Sequence, residues 1–254
     1  MEQLLGKTIV ISGGTKGVGK CIVSECLKQG ANVVFGGRDL SSAKKICESA
    51  KEYKERLIFV ETDLLCIEMC KKMFDVAVEK FGSVDGFVNY AGISTPASLT
   101  ECTESTYDNI FDVNMKAAFF CCQYAVKQMI KNGGGSIVLC GSPHAWGGEL
   151  DRAAYSCSKG ALMALSNHIA KNYAVNNIRC NHFVLGWTET EGEISMRESQ
   201  NMSRQELRDF VSDIVPMKRI IQPDEYSSAV VFLLSDNSKI LTGSDFRMTA
   251  GLYI

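Results

Sequence analysis

The residues best suited to chemistry stand in a short window: Tyr155 and Lys159 lie four apart in Tyr155-Ser156-Cys157-Ser158-Lys159, with Ser142 thirteen residues before the tyrosine. On a helix of about 3.6 residues per turn, positions i and i+4 share one face, so this phenol and this ammonium can enter one pocket. A positive charge beside a phenol favours the phenolate and moves its titration from about 10 towards the operating pH, where a general acid or base works best. Such a pair also occurs on many solvated helix faces, so it needs a second signal. That signal is Thr8-Ile9-Val10-Ile11, a β-branched run followed at once by Ser12-Gly13-Gly14-Thr15-Lys16-Gly17-Val18-Gly19. The pattern reads as strand, glycine turn and helix, the helix running from Lys20 to Gln29. Glycines there permit a tight turn and let backbone N–H groups approach a pyrophosphate at the helix's positive end. Together the two signals point to hydride transfer.

Elements that would position these groups follow from the hydrophobic pattern. Short apolar runs at Thr8–Ile11, Asn32–Phe35, Leu57–Val60, Gly86–Asn89, Ser136–Cys140, Arg179–Val184 and Phe246–Met248 read as strands, with helical patterns between them. Alternation of this kind implies right-handed βαβ units: an α/β, Rossmann-type, doubly wound and mostly parallel seven-stranded sheet with helices on both faces. Ligands then bind beyond the carboxyl ends of the strands, which places the glycine turn, Asn89, Ser142 and Gly186 on one edge. A chain of 254 residues with 46% hydrophobic content and four prolines, without repeats or low-complexity stretches, reads as one domain over 1–254. Its least strand-like and most polar stretch, 188–213, is the expected substrate-covering lid.

A net charge of −2 leaves no electrostatic footprint for nucleic acid. Residues Met1 to Lys7 show no basic leader, and no run approaches the ~18 apolar residues of a membrane span, so no membrane association and a cytoplasmic location are expected. The eleven cysteines read as reduced thiols; Cys66 and Cys70, and Cys121-Cys122, make no zinc knuckle, and no metal site is expected. No Gly-x-Ser-x-Gly elbow offers a hydrolase serine. Among the three histidines His168 reads as a helix-face residue, whereas His144, two residues after Ser142, could line a substrate pocket.

These motifs resemble the classical short-chain dehydrogenases/reductases over the whole chain. Ser12, Gly13, Gly17 and Gly19 stand for the family's Thr-Gly-x-x-x-Gly-x-Gly, Asn89-Tyr90-Ala91-Gly92 for its Asn-Asn-Ala-Gly, and Ile240-Leu241-Thr242-Gly243 for the segment before its last strand. Asn114, Ser142, Tyr155 and Lys159 match its catalytic tetrad. The resemblance implies that Tyr155 exchanges a proton with the substrate oxygen and that Lys159 tunes Tyr155 and holds the nicotinamide ribose. Ser142 would bond the reacting oxygen, and Asn114 would fix a water that connects Lys159 to solvent. It further implies cofactor contacts from Gly13, Thr15, Lys16, Gly17, Val18 and Gly19, from Asp63 and Leu64 at the adenine, from Asn89, Ala91 and Gly92, and from Gly186, Thr188 and Thr190 at the carboxamide. A homotetramer meeting through the helices within Asp108–Met129 and Tyr155–Tyr173 is also implied.

Gly37 stands where NAD-preferring relatives carry an acid, Arg38 follows it, and Lys16 precedes Gly17, so NADP(H) is the expected cofactor, with Asp39 as a complication. Leu185 replaces a proline of the family pattern, Tyr90 an asparagine and Ala250 an aspartate. In Pro143-His144-Ala145-Trp146 the indole would add a large apolar wall, giving Ser142, His144, Trp146 and Tyr155 as expected substrate contacts. Asn177-Ile178-Arg179-Cys180-Asn181 and Ala250-Gly251 are similar to bacterial hydroxysteroid dehydrogenases, the favoured substrate reading. A 3-oxoacyl-[acyl-carrier-protein] reductase, a sugar or polyol dehydrogenase, and a noncatalytic NADP-binding sensor or scaffold are the alternatives.

Overall fold

The computed structural model describes residues 2–252. Seven strands, β1 (Thr8–Ser12), β2 (Asn32–Gly37), β3 (Leu57–Glu61), β4 (Gly86–Asn89), β5 (Gly135–Gly141), β6 (Ile178–Leu185) and β7 (Asp245–Met248), form one sheet in the order β3-β2-β1-β4-β5-β6-β7. Every neighbouring pair is parallel, so the expected mostly parallel sheet is wholly parallel. Parallel neighbours need long crossovers, and helices supply them: α1 (Gly17–Lys28), α2 (Leu40–Ser49), α3 (Ile67–Phe81), α4 (Glu104–Phe111), α5 (Ala117–Asn132), α6 (Ala153–Tyr173), α7 (Glu191–Ser199), α8 (Arg204–Ile214) and α9 (Ser227–Leu234). Each observed strand contains the expected apolar run; six gain one or two residues at an end, where ladder pairing outlasts the apolar pattern.

Alternating side chains divide the core into two layers. Ile9 and Ile11 of β1 face Val23 of α1, Ala43 of α2 and Val230 of α9, whereas Val10 faces Phe74 of α3, Cys121 of α5 and Leu162 of α6. Both faces are covered, and all five residues of β1 are buried. Strand order reverses between β1 and β4, which opens a crevice at the carboxyl edge there. A smaller cluster joins Leu207 and Val211 of α8 to Val215 and Ile220, with Trp187 packed against it.

Among the described residues four α-helices begin on side-chain caps, Thr190 on α7 being one. Asp39 caps α2, Thr103 caps α4, and Ser203 with Glu206 forms a capping box on α8. Helix α1, starting three residues earlier than expected, has no side-chain cap and no acid in its first turn. Between α4 and α5 the helix widens into a single π turn, Asp112–Lys116, a feature that recurs at functional sites.

Candidate active site

β1 ends at Ser12 and the chain turns directly into α1. At Gly13 φ is +76°, and a Cβ there would lie 2.8 Å from Ala91 N and Cα, so only glycine meets both the conformation and the approach. A side chain at Gly19 would meet the Gly13 carbonyl oxygen and, at 2.8 Å, Tyr90 Cδ1. Tyr90 thus packs on the turn in the place of the family's asparagine, and burial pushes its phenol pKa up. The Lys16 side chain does not cap α1 and the first turn carries no acid, so the positive dipole end is open to an anion, with the Tyr90 phenol set beside Val18 N. This acid-free helix end and glycine-rich turn fit a pyrophosphate-bearing dinucleotide.

The crevice is a cleft of about 520 Å³ running along the sheet's carboxyl edge. By strand order, Thr15, Lys16, Arg38, Asp63 and Leu64 line its end at β2 and β3, Gly13, Ala91 and Gly92 its middle, and Ser142, His144, Tyr155, Lys159, Gly186, Thr188 and Thr190 its end at β5 and β6. The other expected contacts are not among its walls. Val18 and Gly19 are buried on α1 and Gly17 opens that helix. Asn89 is buried and accepts a hydrogen bond from Ser12 Oγ at 2.9 Å, and Asn114 is buried behind Ile93.

Asn114 is held by the π turn, its Oδ1 accepting from Ile93 N at 2.8 Å and its Nδ2 donating to Ile93 O at 2.9 Å and Ser158 Oγ at 3.0 Å. Ser158 Oγ donates in turn to the Tyr155 carbonyl at 2.7 Å, fixing the first turns of α6. Buried Lys159 donates to Cys140 O at 2.9 Å, and its Nζ lies 5.6 Å from the Tyr155 ring centroid. An atom built on Gly92 would be 3.3 Å from Asn114 Oδ1 and 3.5 Å from Lys159 Nζ, so these groups converge below Gly92. Ser142 Oγ accepts from His144 N at 3.3 Å, capping a short 3-10 turn. The His144 ring stands edge-on to Tyr155 at 5.5 Å and 72°. Its Nδ1 is buried without a partner, and burial pushes its pKa below the ordinary value, which keeps the ring neutral at pH 7.

At the other end, Lys16 Nζ pairs with Asp39 at 2.7 Å while Asp39 also accepts from Ser42 N at 2.9 Å. The lysine and the two Ser42 donors hold the Asp39 carboxyl below its ordinary range. Thr188 Oγ1 donates to Gly186 O at 2.9 Å, and Thr190 Oγ1 caps α7 by accepting from Glu193 N.

The expected apolar wall is not where the indole sits. Trp146 is 45% exposed, stands under Arg247 at 4.4 Å and lies 5.9 Å from His182, and it does not line the cleft. Arg152, Glu149 and Trp187 line it, with Glu193, Met196 and Arg197 of α7. These were not anticipated, although a signal existed: Arg152 precedes Tyr155 by three positions, one helical turn away, and 193, 196 and 197 have one-face spacing. His168 is on an exposed helix face, bonded to Asn172.

Glu189, between Thr188 and Thr190, has a fully buried carboxylate. It accepts from Arg208 Nη2 at 2.8 Å, from Gln222 Nε2 at 2.9 Å and from Arg204, tying α8 to the loop after β6. Burial pushes its pKa up, but the bonds from Arg208, Gln222 and Arg204 outweigh this and hold it at about 2. Its folded value lies below the ordinary 4.5, so its stabilisation is complete above about pH 4.5 and is lost as pH falls towards 2. Thermal melts over that window are expected to show Glu189→Gln a few °C less stable at pH 6, with a shallower acid loss than the native chain. Parallel melting curves would refute the ionic role of this carboxylate.

Among the described residues no group of three metal-ligating side chains could hold an ion, and no helix is long and apolar enough to cross a membrane. A family model described as Enoyl-(Acyl carrier protein) reductase matches residues 13–253. L-rhamnose 1-dehydrogenase (NAD(P)(+)) of Azotobacter vinelandii is 30% identical over 256 residues, covering 99% of this chain and 98% of that protein. Glucose 1-dehydrogenase 2 of Bacillus subtilis is 28% identical over 254 residues, covering 99% and 96%. The fold is shared with a crystal structure from Brucella melitensis titled short-chain dehydrogenase/reductase SDR:glucose/ribitol dehydrogenase, with a TM-score of 0.89, 24% identity and coverage of 99% and 98%.

Proposed function

This chain belongs to the classical short-chain dehydrogenase/reductase family, and from that premise we propose that it is an NADP(H)-dependent oxidoreductase interconverting a secondary alcohol and a ketone on a small polyhydroxylated substrate. The observation that carries the reading is the convergence of Ser142, Tyr155 and Lys159 on a cleft that runs past the Gly13 turn to Thr15, Lys16 and Arg38 before helix α1 and after β2. When bound, the nicotinamide supplies or accepts the hydride. Tyr155 gives its hydroxyl proton to the carbonyl oxygen, or takes the alcohol's proton in reverse. Ser142 Oγ bonds the same oxygen where charge develops. Lys159 stands beside the Tyr155 ring and holds the ribose, and Asn114, fixed beside it, orders the water that relays the proton to solvent. Helix α7, which buries none of its own residues, carries Glu193, Met196 and Arg197 over the cleft and serves as the lid within 188–213.

Cofactor preference is argued from charge. Lys16 and Arg38 line the β2 end, where a 2′-phosphate would replace Asp39 as the partner of Lys16. Arg38→Ala is expected to raise KM for NADPH roughly 10–100-fold, the range of ~1.5–3 kcal/mol for charge-assisted bonds, and to leave KM for NADH within about twofold. Equal losses with both cofactors would assign Arg38 another role.

Beside Trp187 and Met196 the substrate side carries Glu149, Arg152, Glu193 and Arg197, and Trp146 does not line it; this supports a sugar or polyol over the hydroxysteroid reading, which rested on residues 177–181 and Ala250-Gly251 with Trp146 as an added apolar wall. The names of the rhamnose and glucose dehydrogenases above support the same choice. The test is absorbance at the reduced-nicotinamide band with NADP or NAD and a panel of sugars, polyols, bile acids and acetoacetyl thioesters. Sugar or polyol turnover upholds the reading. Turnover confined to bile acids or thioesters moves the assignment to those substrates, and silence despite tight NADPH binding favours a noncatalytic sensor.

A further inference from the structure

Arg152 is the N-cap residue of α6, one turn before Tyr155, and it lines the substrate end of the cleft while only 4% exposed. A guanidinium is always charged and carries five N–H donors, so each needs an acceptor when buried. Nη1 donates to the Asp151 carbonyl at 3.2 Å and to Asp151 Oδ2 at 2.9 Å, and Asp151 is itself 46% exposed. Nη2 meets only the weak acceptor Met196 Sδ at 3.9 Å, and Nε has no acceptor among the described residues. One edge of a buried cation is therefore uncommitted. The neighbouring cation is not: Arg197 pairs with Glu193 at 2.8 Å and stacks 4.9 Å from Trp187. Lys159 is turned to Cys140 O. Glu149 lines the cleft from an exposed position at its rim.

The Nε and Nη2 edge of a guanidinium presents two parallel N–H groups spaced for the two oxygens of a carboxylate. We propose that Arg152 is a specificity residue that binds a substrate carboxylate, so that the substrate class is a hydroxy acid or its oxo acid, in its larger members a sugar acid. This rests on the polyhydroxylated-substrate reading above and narrows it. Arg152 grips the acid end while Ser142 and Tyr155, a turn further on, take the reacting oxygen. Neutral sugars offer this edge only hydroxyl oxygens, without the charge or the paired geometry of a carboxylate, and bind more weakly for that reason.

The test is calorimetric binding to the NADPH-saturated enzyme of lactate, glycerate and gluconate, each paired with its neutral amide. At least one carboxylate is expected to bind about 10–100-fold more tightly than its amide, the range of a charge-assisted fork. That preference should shrink to within about twofold in Arg152→Met and persist in part in Arg152→Lys, which keeps the charge without the fork. Equal binding of acids and amides, binding of neither, or a preference unchanged in Arg152→Met overturns the proposal. Should Arg152→Met fail to fold, Arg152→Lys decides alone: an undiminished preference counts against the fork. Tyr155→Phe separates this from the dehydrogenase reading, since it removes turnover while leaving the carboxylate preference in binding. Retained turnover in that variant with an intact preference sinks the assigned proton donor and spares Arg152.

Discussion

Tyr155→Phe is expected to lower kcat by roughly 10²–10⁴-fold, the usual contribution of a positioned general acid or base, with KM for NADPH unchanged within about twofold. The hydroxyl is the only atom removed. It makes no hydrogen bond within the described residues, so the folded state loses no internal bond and the melting temperature should hold within a few °C. The ring stays in place, since its neighbours are the His144 imidazole at 5.5 Å and the Lys159 ammonium at 5.6 Å, and both meet phenylalanine as readily. Steady-state rates on a substrate from the panel, with the melt as control, measure this. Activity within tenfold of the native enzyme would move the proton to another donor. His144 is then the next group to replace, because its Nδ1 is buried, unpartnered and beside the same ring.

Lys159→Met is expected to lower kcat/KM by about 10³-fold, the order of a lost preorganised charge, and to raise KM for NADPH together with it. The double effect distinguishes it from Tyr155→Phe, because in the proposed mechanism the ammonium both stands beside the phenol and holds the ribose. Stability should move the other way. Lys159 is 5% exposed and among the described residues its one acceptor is the Cys140 carbonyl, so the fold bears a buried charge that methionine of similar length removes. The melting temperature is expected to stay equal or rise, as at other sites where activity costs stability. A marked fall in melting temperature with unchanged KM for NADPH would make Lys159 a structural residue and not a functional one.

How far the site was legible depended on how local each signal was. Tyr155 and Lys159 face one way because four residues of helix bring them together, and the Ser12 to Gly19 turn is legible because a β-branched run meets glycines that no other residue can replace at Gly13. Asn114 was different. Its surroundings read as an ordinary helix, and only the family pattern singled it out; a π turn bonded to Ile93 across the fold is what aims it under Gly92. Tyr90 likewise had no assignable role until its ring was found against Gly19.

By itself the sequence determined the alternating α/β order, the parallel sheet, the dinucleotide turn and the Tyr155–Lys159 pair, because each is written in periodicity or in spacing within one element. Only the tertiary structure decided which side chains line the cleft. Trp146 and Arg152 flank the same loop, yet the indole turns out to Arg247 and the guanidinium turns in to the cleft. Arg152 is bridged to Ala97 and meets Met196 of α7, whereas Trp146 stands under Arg247, and none of these partners is encoded in local spacing. Glu189 shows the same division: its charge is plain in the sequence, but the partners that bury it come from Arg204, Arg208 and Gln222, fifteen to thirty-three residues away.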